Sequence, residues 1–158
     1  MKVSRWFIVI LTVGLTAGCA GDGSRTRQDE VAERGRTVMP FDLDRTTHTF
    51  TPTGDGLVED VTADRAGDTK QTGLIRAHLA AEARRFQAGD FTDPTRIHGS
   101  DMPGLAQLSA GAPRIEIAYQ DLPDGARIRF RTDDRALVEA LHAWGAAQVS
   151  DHGGHATS

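Results

Sequence analysis

The chain has 158 residues, of which 39% are hydrophobic and 25% charged, and its formal net charge is −4 when its six histidines are neutral. That balance argues against nucleic acid or an anionic lipid surface as partner. The single cysteine excludes an intrachain disulfide, so the fold must rest on its hydrophobic core.

The first nineteen residues carry the clearest signal. Lys2 and Arg5 form a positive n-region, Trp6 to Val13 a short apolar stretch, and Leu15-Thr16-Ala17-Gly18 leads into Cys19. The apolar stretch is too short to span a bilayer as a helix, which makes residues 1–18 a signal peptide. The motif resembles the lipobox of bacterial lipoproteins, with Thr16 where leucine is usual. The resemblance implies that Cys19 is acylated and anchors the mature chain to a membrane outside the cytoplasm. Ala20, in a place where aspartate marks inner-membrane retention, implies the periplasmic face of the outer membrane. Removing residues 1–18 leaves 16 of the 18 basic residues against 22 acidic ones, a net charge of −6. The remaining length suits one hydrophobic core.

Residues 20–36 are polar and charged, and they read as a flexible tether continuing from the lipidated Cys19. The domain is expected over 37–150, starting near Val38-Met39-Pro40-Phe41. Thr46 to Thr51 reads as a strand, Gly54-Asp55-Gly56 as a turn, and Leu57 to Thr62 as its partner. His48 and Phe50 then share a face. A helix follows from about Thr72 to Ala88, with Ile75, Leu79 and Phe86 on one arc, His78 and Glu82 beside it, and Gly89 as C-cap. Residues 90–113 read as a long ordered loop in which Asp101 caps a short turn bearing Leu105 and Leu108. Arg114 to Tyr119 and Arg127 to Thr132 form a second hairpin around Asp121-Leu-Pro-Asp-Gly. Asp133 or Asp134 caps a last helix to about Val149, with Leu137, Leu141, Trp144 and Gln148 along its stripe. Residues 151–158 read as a polar tail. The order β-β-α-β-β-α implies a small single α+β domain with helices on one face of a mainly antiparallel sheet. A shared Thr-x-Asp exit from each hairpin hints at a duplicated ββα unit.

The sequence has no Gly-x-Ser-x-Gly elbow, phosphate-binding glycine loop, His-Glu-x-x-His or Cys-x-x-Cys. The domain therefore reads as non-enzymatic, and the chemistry falls to histidine and methionine. His98 and Met102, in His-Gly-Ser-Asp-Met-Pro-Gly, pair an imidazole with a thioether, a set that suits copper before zinc. Met39 offers a second sulfur. His152 and His155, separated by two glycines, form a flexible capture site at the tail. His48 and His78 are further ligand candidates that converge with His98 if the two ββα units pack together. The plain alternative for each is structural: a loop anchor, a core filler, a soluble terminus. A structural or partner-binding envelope protein without metal would show the same residues. Arg127, Arg129 and Arg131 alternate onto one face, read as a solvent face paired with neighbouring acids.

The runs Arg36 to His48, Ile97 to Leu105, Leu122 to Ala126 and Ser150 to Ala156 resemble a family of small exported bacterial proteins that carry the name aspartate carbamoyltransferase. Carbamoyltransferases proper are two-domain α/β enzymes about twice this length with a Ser-Thr-Arg-Thr phosphate loop. This chain offers only Ser24-Arg25-Thr26-Arg27, in the expected tether, so the resemblance extends to the exported family and not to the enzyme.

Overall fold

The computed structural model describes residues 21–158; the expected signal peptide and Cys19 lie outside the described residues. Two hairpins build one five-stranded sheet. β1 (Thr46–Thr53) pairs antiparallel with β2 (Gly56–Ala63), and β3 (Glu116–Leu122) with β4 (Gly125–Arg131). β2 and β4 then pair antiparallel, and a two-residue β5 (Ala156–Thr157) runs parallel to β1 at the far edge, giving the order β3-β4-β2-β1-β5.

Alternation sets the two faces. His48 and Phe50, Leu57 and Val61, and Ala126, Ile128 and Phe130 turn inward and are buried. The opposite face carries Arg127, which holds Asp60 at 2.6 Å, and Arg129 and Arg131, which both reach Asp55. The basic stripe is thus a face of compensated charge, as its alternation implied. Only the inner face is covered by helices. α2 (Thr69–Gln87), capped by Asp68, lies mainly over β3 and β4, while α5 (Arg135–His152), capped by Asp134, lies over β1 and β2. Each long helix therefore covers the hairpin of the other half. The α+β order and the single-faced packing match the expectation, and the α5 stripe Leu137, Leu141, Trp144 and Gln148 is buried throughout.

Three segments differ from it. Residues 21–38 are a helix, α1 (Gly21–Val38), and not a tether. Its composition is polar, but Glu30 and Arg34 pair one turn apart, Val31 is fully buried, and Arg27, Gln28 and Arg34 bond to backbone or side chains of distant segments. The stretch 90–113 contains α3 (Thr92–His98) and α4 (Leu105–Gly111), fixed by Phe91 stacking on Phe86 at 4.8 Å. Asp101 is not the cap of α4; Gly104, at φ +79°, holds that position because a Cβ there would strike the Ala140 carbonyl at 2.2 Å. The tail is ordered as well: α5 runs through His152, Gly153 to His155 form a 3₁₀ turn, and β5 follows. No helix among the described residues is long and apolar enough to cross a membrane.

If α1 belongs to the domain, its one deeply buried side chain, Val31, must carry stability. Val31→Ala is expected to lower the unfolding free energy by about 2 kcal/mol through lost burial and an unfilled space. Urea denaturation of the mature chain measures it; an unchanged midpoint would mean that α1 is a bystander.

Candidate functional site

The sheet and helices do not close perfectly. A cavity of about 50 Å³ remains beneath β1, β2 and β4, walled by α2, α3, α5 and the end of α1. Its lining is apolar at Phe50, Leu79, Phe86, Ile128 and Trp144, and also holds four histidines, His48, His78, His98 and His152. Convergence of His48, His78 and His98 is thus observed, and His152 joins them.

His48, inward on β1, stacks on the His152 ring with centroids 5.3 Å apart and planes within 17°. His152 meets His98 edge to face at 4.9 Å. His98, at the end of α3, shares a hydrogen bond from Nδ1 to Asp151 Oδ2 at 2.9 Å. The same carboxylate accepts from Arg27 Nη2 at 2.7 Å, and that nitrogen also donates to the His98 carbonyl oxygen at 2.6 Å. Among the described residues no ring contact joins His78 to the other histidines directly; its ring and that of His48 each meet Phe41, at 5.6 and 5.8 Å. Glu82, one turn after His78, turns instead to Asp93, with which it shares a hydrogen bond, and to Arg85 at 3.7 Å.

Three buried polar atoms on the cavity wall have no hydrogen-bond partner: His48 Nδ1, Trp144 Nε1 and Gln148 Oε1. Buried polar atoms in native interiors are almost always partnered, by protein groups or by ordered water. Burial keeps the imidazoles neutral, lowering His48 to about 4 and His78, His98 and His152 in the same direction. Burial also drives the carboxyls the other way, Glu59 to about 8 with the charge of Glu82 adding to it, and Glu82 to about 7 with Asp93 adding to it. Burial thus favours the uncharged form of these imidazoles and of these two carboxyls alike.

The other candidates fall elsewhere. Met102 is buried but lies off the cavity, on a separate outer groove that also meets His98. Met39 takes its place on the cavity wall; Gly35, with no side chain, makes room for its methyl group, which lies 2.7 Å from where a Cβ would stand. His155 faces Asp44 at 3.5 Å and lies off the cavity, so His152 and His155 do not form a flexible pair. His142 contacts the Thr53 and Gly56 carbonyls at 3.0 Å and closes the first hairpin. Sequence reasoning missed Glu59 and Asp151. Glu59 was available as the polar member of the alternation Leu57, Glu59, Val61. Among the described residues, no group of three or more His, Cys, Asp or Glu side chains is placed to hold a metal ion. No family model, curated protein or solved structure matches the chain.

These opposed groups give a pH dependence of defined sign. His48 in the folded chain resists protonation until about pH 4, against 6.5 for a free imidazole, so stability falls as pH drops below 6.5. Glu59 and Glu82 bind protons more tightly folded than unfolded, so their contribution is present below 4.5 and is lost as pH rises through 7 and 8. Between pH 6.5 and 8, where the carboxyls titrate and the imidazoles no longer oppose them, urea midpoints should decline, each carboxyl adding at most about 1.4 kcal/mol per pH unit. Glu59→Gln should remove part of the alkaline decline. A profile still rising at pH 8, or a variant that falls as steeply as wild type, would contradict this assignment.

Proposed function

We propose that the protein is an envelope lipoprotein, anchored through Cys19, whose domain binds one transition-metal ion, copper before zinc, at the imidazole wall of the core cavity. The observation that carries the reading is the ring-to-ring chain His48–His152–His98 beside the partnerless His48 Nδ1. Imidazole ligates in its neutral form, which is the form burial favours here. The size of the space points the same way: about 50 Å³ exceeds the roughly 30 Å³ of one water but falls well short of the roughly 150 Å³ that admits benzene. An ion with a water suits it better than an organic molecule does.

His98 resembles a metal-bound histidine in one more respect, since Asp151 fixes its ring through Nδ1 and leaves Nε2 as the other donor. Met39 supplies the soft thioether that favours Cu(I). The His48 and His152 rings lie face to face, so binding turns at least one of them edge-on. The ligand set is therefore His48, His98, His152 and Met39, with His78, on the same cavity wall, as a reserve. Met102 and His155 drop out of it. Carbamoyl transfer gains nothing from the geometry: Arg27, which would serve the phosphate motif, is committed to Asp151 and the His98 carbonyl.

Titration of residues 20–158 with Cu(I), Cu(II) and Zn(II) tests the metal. Stoichiometric Cu(I) binding is expected, lost in His48→Ala/His152→Ala and weakened about 10–100-fold in Asp151→Asn, where only the orienting group changes. Circular dichroism establishes that the variants are folded. Absence of stoichiometric binding at micromolar metal would leave a structural or partner-binding role. Localisation is tested separately by fractionating cells that express Cys19→Ala. Loss of membrane association and of processing is expected; a variant that stays bound and is processed as before would refute the lipoprotein reading.

A further inference from the structure

The three partnerless atoms of the core form a pattern. Trp144 and Gln148 stand one turn apart on α5, and His152 follows a turn later with His48 of β1 stacked on it at 5.3 Å. Phe50, two residues along β1 from His48, meets the Trp144 ring at 6.2 Å. The three atoms thus belong to side chains on one stretch of the cavity wall, and Trp144, Gln148 and His48 are each more than nine-tenths buried.

Their hydrogen-bonding roles are set by atom type. Trp144 Nε1 carries a hydrogen and only donates, whereas Gln148 Oε1 only accepts. His48 already donates from one ring nitrogen to the His155 backbone, so Nδ1 of the neutral ring is a bare lone pair. The wall therefore presents one donor and two acceptors. A guest that meets all three brings two hydrogens on nitrogen or oxygen and one acceptor atom. Among the described residues no lysine or arginine lines the cavity, so a carboxylate would find no cation there. An ammonium group, having no acceptor, would leave the indole N–H unmet. Size narrows the choice further. The 50 Å³ lies between the roughly 30 Å³ of a water, with one heavy atom, and the roughly 150 Å³ that admits benzene, with six. Leu79, Phe86 and Ile128 add apolar wall for a small carbon group.

We propose that the cavity is a binding site for a small primary carboxamide, whose NH₂ group donates to His48 Nδ1 and Gln148 Oε1 and whose carbonyl oxygen accepts from Trp144 Nε1. A single water also donates twice and accepts, but it fills only part of the space and gains nothing from the apolar wall. The amide site goes beyond the metal reading and does not need it. The two meet at His48 Nδ1, where a bound ion would compete with the amide.

The test uses residues 20–158 without added metal. Trp144 is the sole tryptophan of that chain, because Trp6 lies in the expected signal peptide, so its indole N–H gives a single resonance in a heteronuclear NMR spectrum. Acetamide, acetone and acetate are near-isosteric probes. Acetamide should move the indole resonance saturably, with a dissociation constant of about a millimolar or weaker, since it has few atoms with which to bind. Acetone keeps the acceptor and lacks both donors, so it should bind about tenfold more weakly, and acetate should not bind. Gln148→Leu and His48→Phe should each weaken acetamide about fivefold and leave acetone unchanged, whereas a purely structural role would move both probes alike. Circular dichroism checks that the variants fold, and the wild-type comparison of probes needs no variant. Acetone binding as tightly as acetamide would overturn the proposal by making the space merely apolar. An indole resonance that acetamide does not move would overturn it by leaving these atoms to water. Copper binding by a chain that ignores acetamide would sink this inference and leave the metal site standing; acetamide binding by a chain that takes up no copper would do the reverse.

Discussion

Asp151 is the point on which this structure turns. Its carboxylate lies at the last turn of α5, yet it binds the imidazole of α3 and the guanidinium of α1, joining three helices that the sheet does not hold together directly. Bonds of this charge-assisted kind are among the stronger polar contacts a protein makes. Burial would raise the Asp151 carboxyl, but its bonds to Arg27 and His98 prevail and hold it below the ordinary range. Without that node α1 would keep little apolar hold beyond Val31, and the ring of His98 would lose its orientation. The adjoining residue is His152, from which the chain turns through Gly153 to lay β5 beside His48 and Thr49. One side chain thus fixes both the outer helix and the wall of the cavity.

The parts of the fold legible in the sequence are those in which local pattern and tertiary burial agree. Alternation placed His48 and Phe50 inward and the arginines of β4 outward, and the period of α5 gave its buried stripe. The parts that were not legible depend on partners far away along the chain. Arg27 and Asp151 are 124 residues apart, and nothing in the composition of residues 20–36 announces that pairing. A polar segment is read as solvated unless its partners are known, and here the partners are carbonyls and a carboxylate of α3 and α5. The tail was misread for the same reason: its glycines suggest freedom, while its order comes from pairing with β1.

Convergence of the histidines belongs to a third category. His48, His78 and His98 sit on β1, α2 and α3, and their meeting was conditional on how two ββα units pack. The two long helices cross to cover each other's hairpins, which sets α5 and its terminal His152 over β1. An arrangement in which each helix covered its own hairpin would have put His78 there instead. The choice between Met39 and Met102 had the same dependence: both are buried near a histidine in sequence, and only the path of the chain after α1 puts Met39 at the cavity.

The electrostatics of the cavity decide what kind of guest it accepts. None of the residues lining it is lysine or arginine, and its imidazoles resist protonation through burial. An anion such as a carbamoyl phosphate would therefore enter a space with no cation on its walls to meet it, at a desolvation cost of several kcal/mol. Gln148 Oε1 has no donor, and His48, whose hydrogen bond to the His155 backbone uses one ring nitrogen, keeps Nδ1 free as a second lone pair. Glu59 and Glu82 add carboxyls that give up protons when a positive charge arrives beside them. Two of the partnerless atoms are acceptors and the third, Trp144 Nε1, is a donor, so it is the lack of a cationic side chain on the walls, and not a lack of donors, that disfavours a substrate anion.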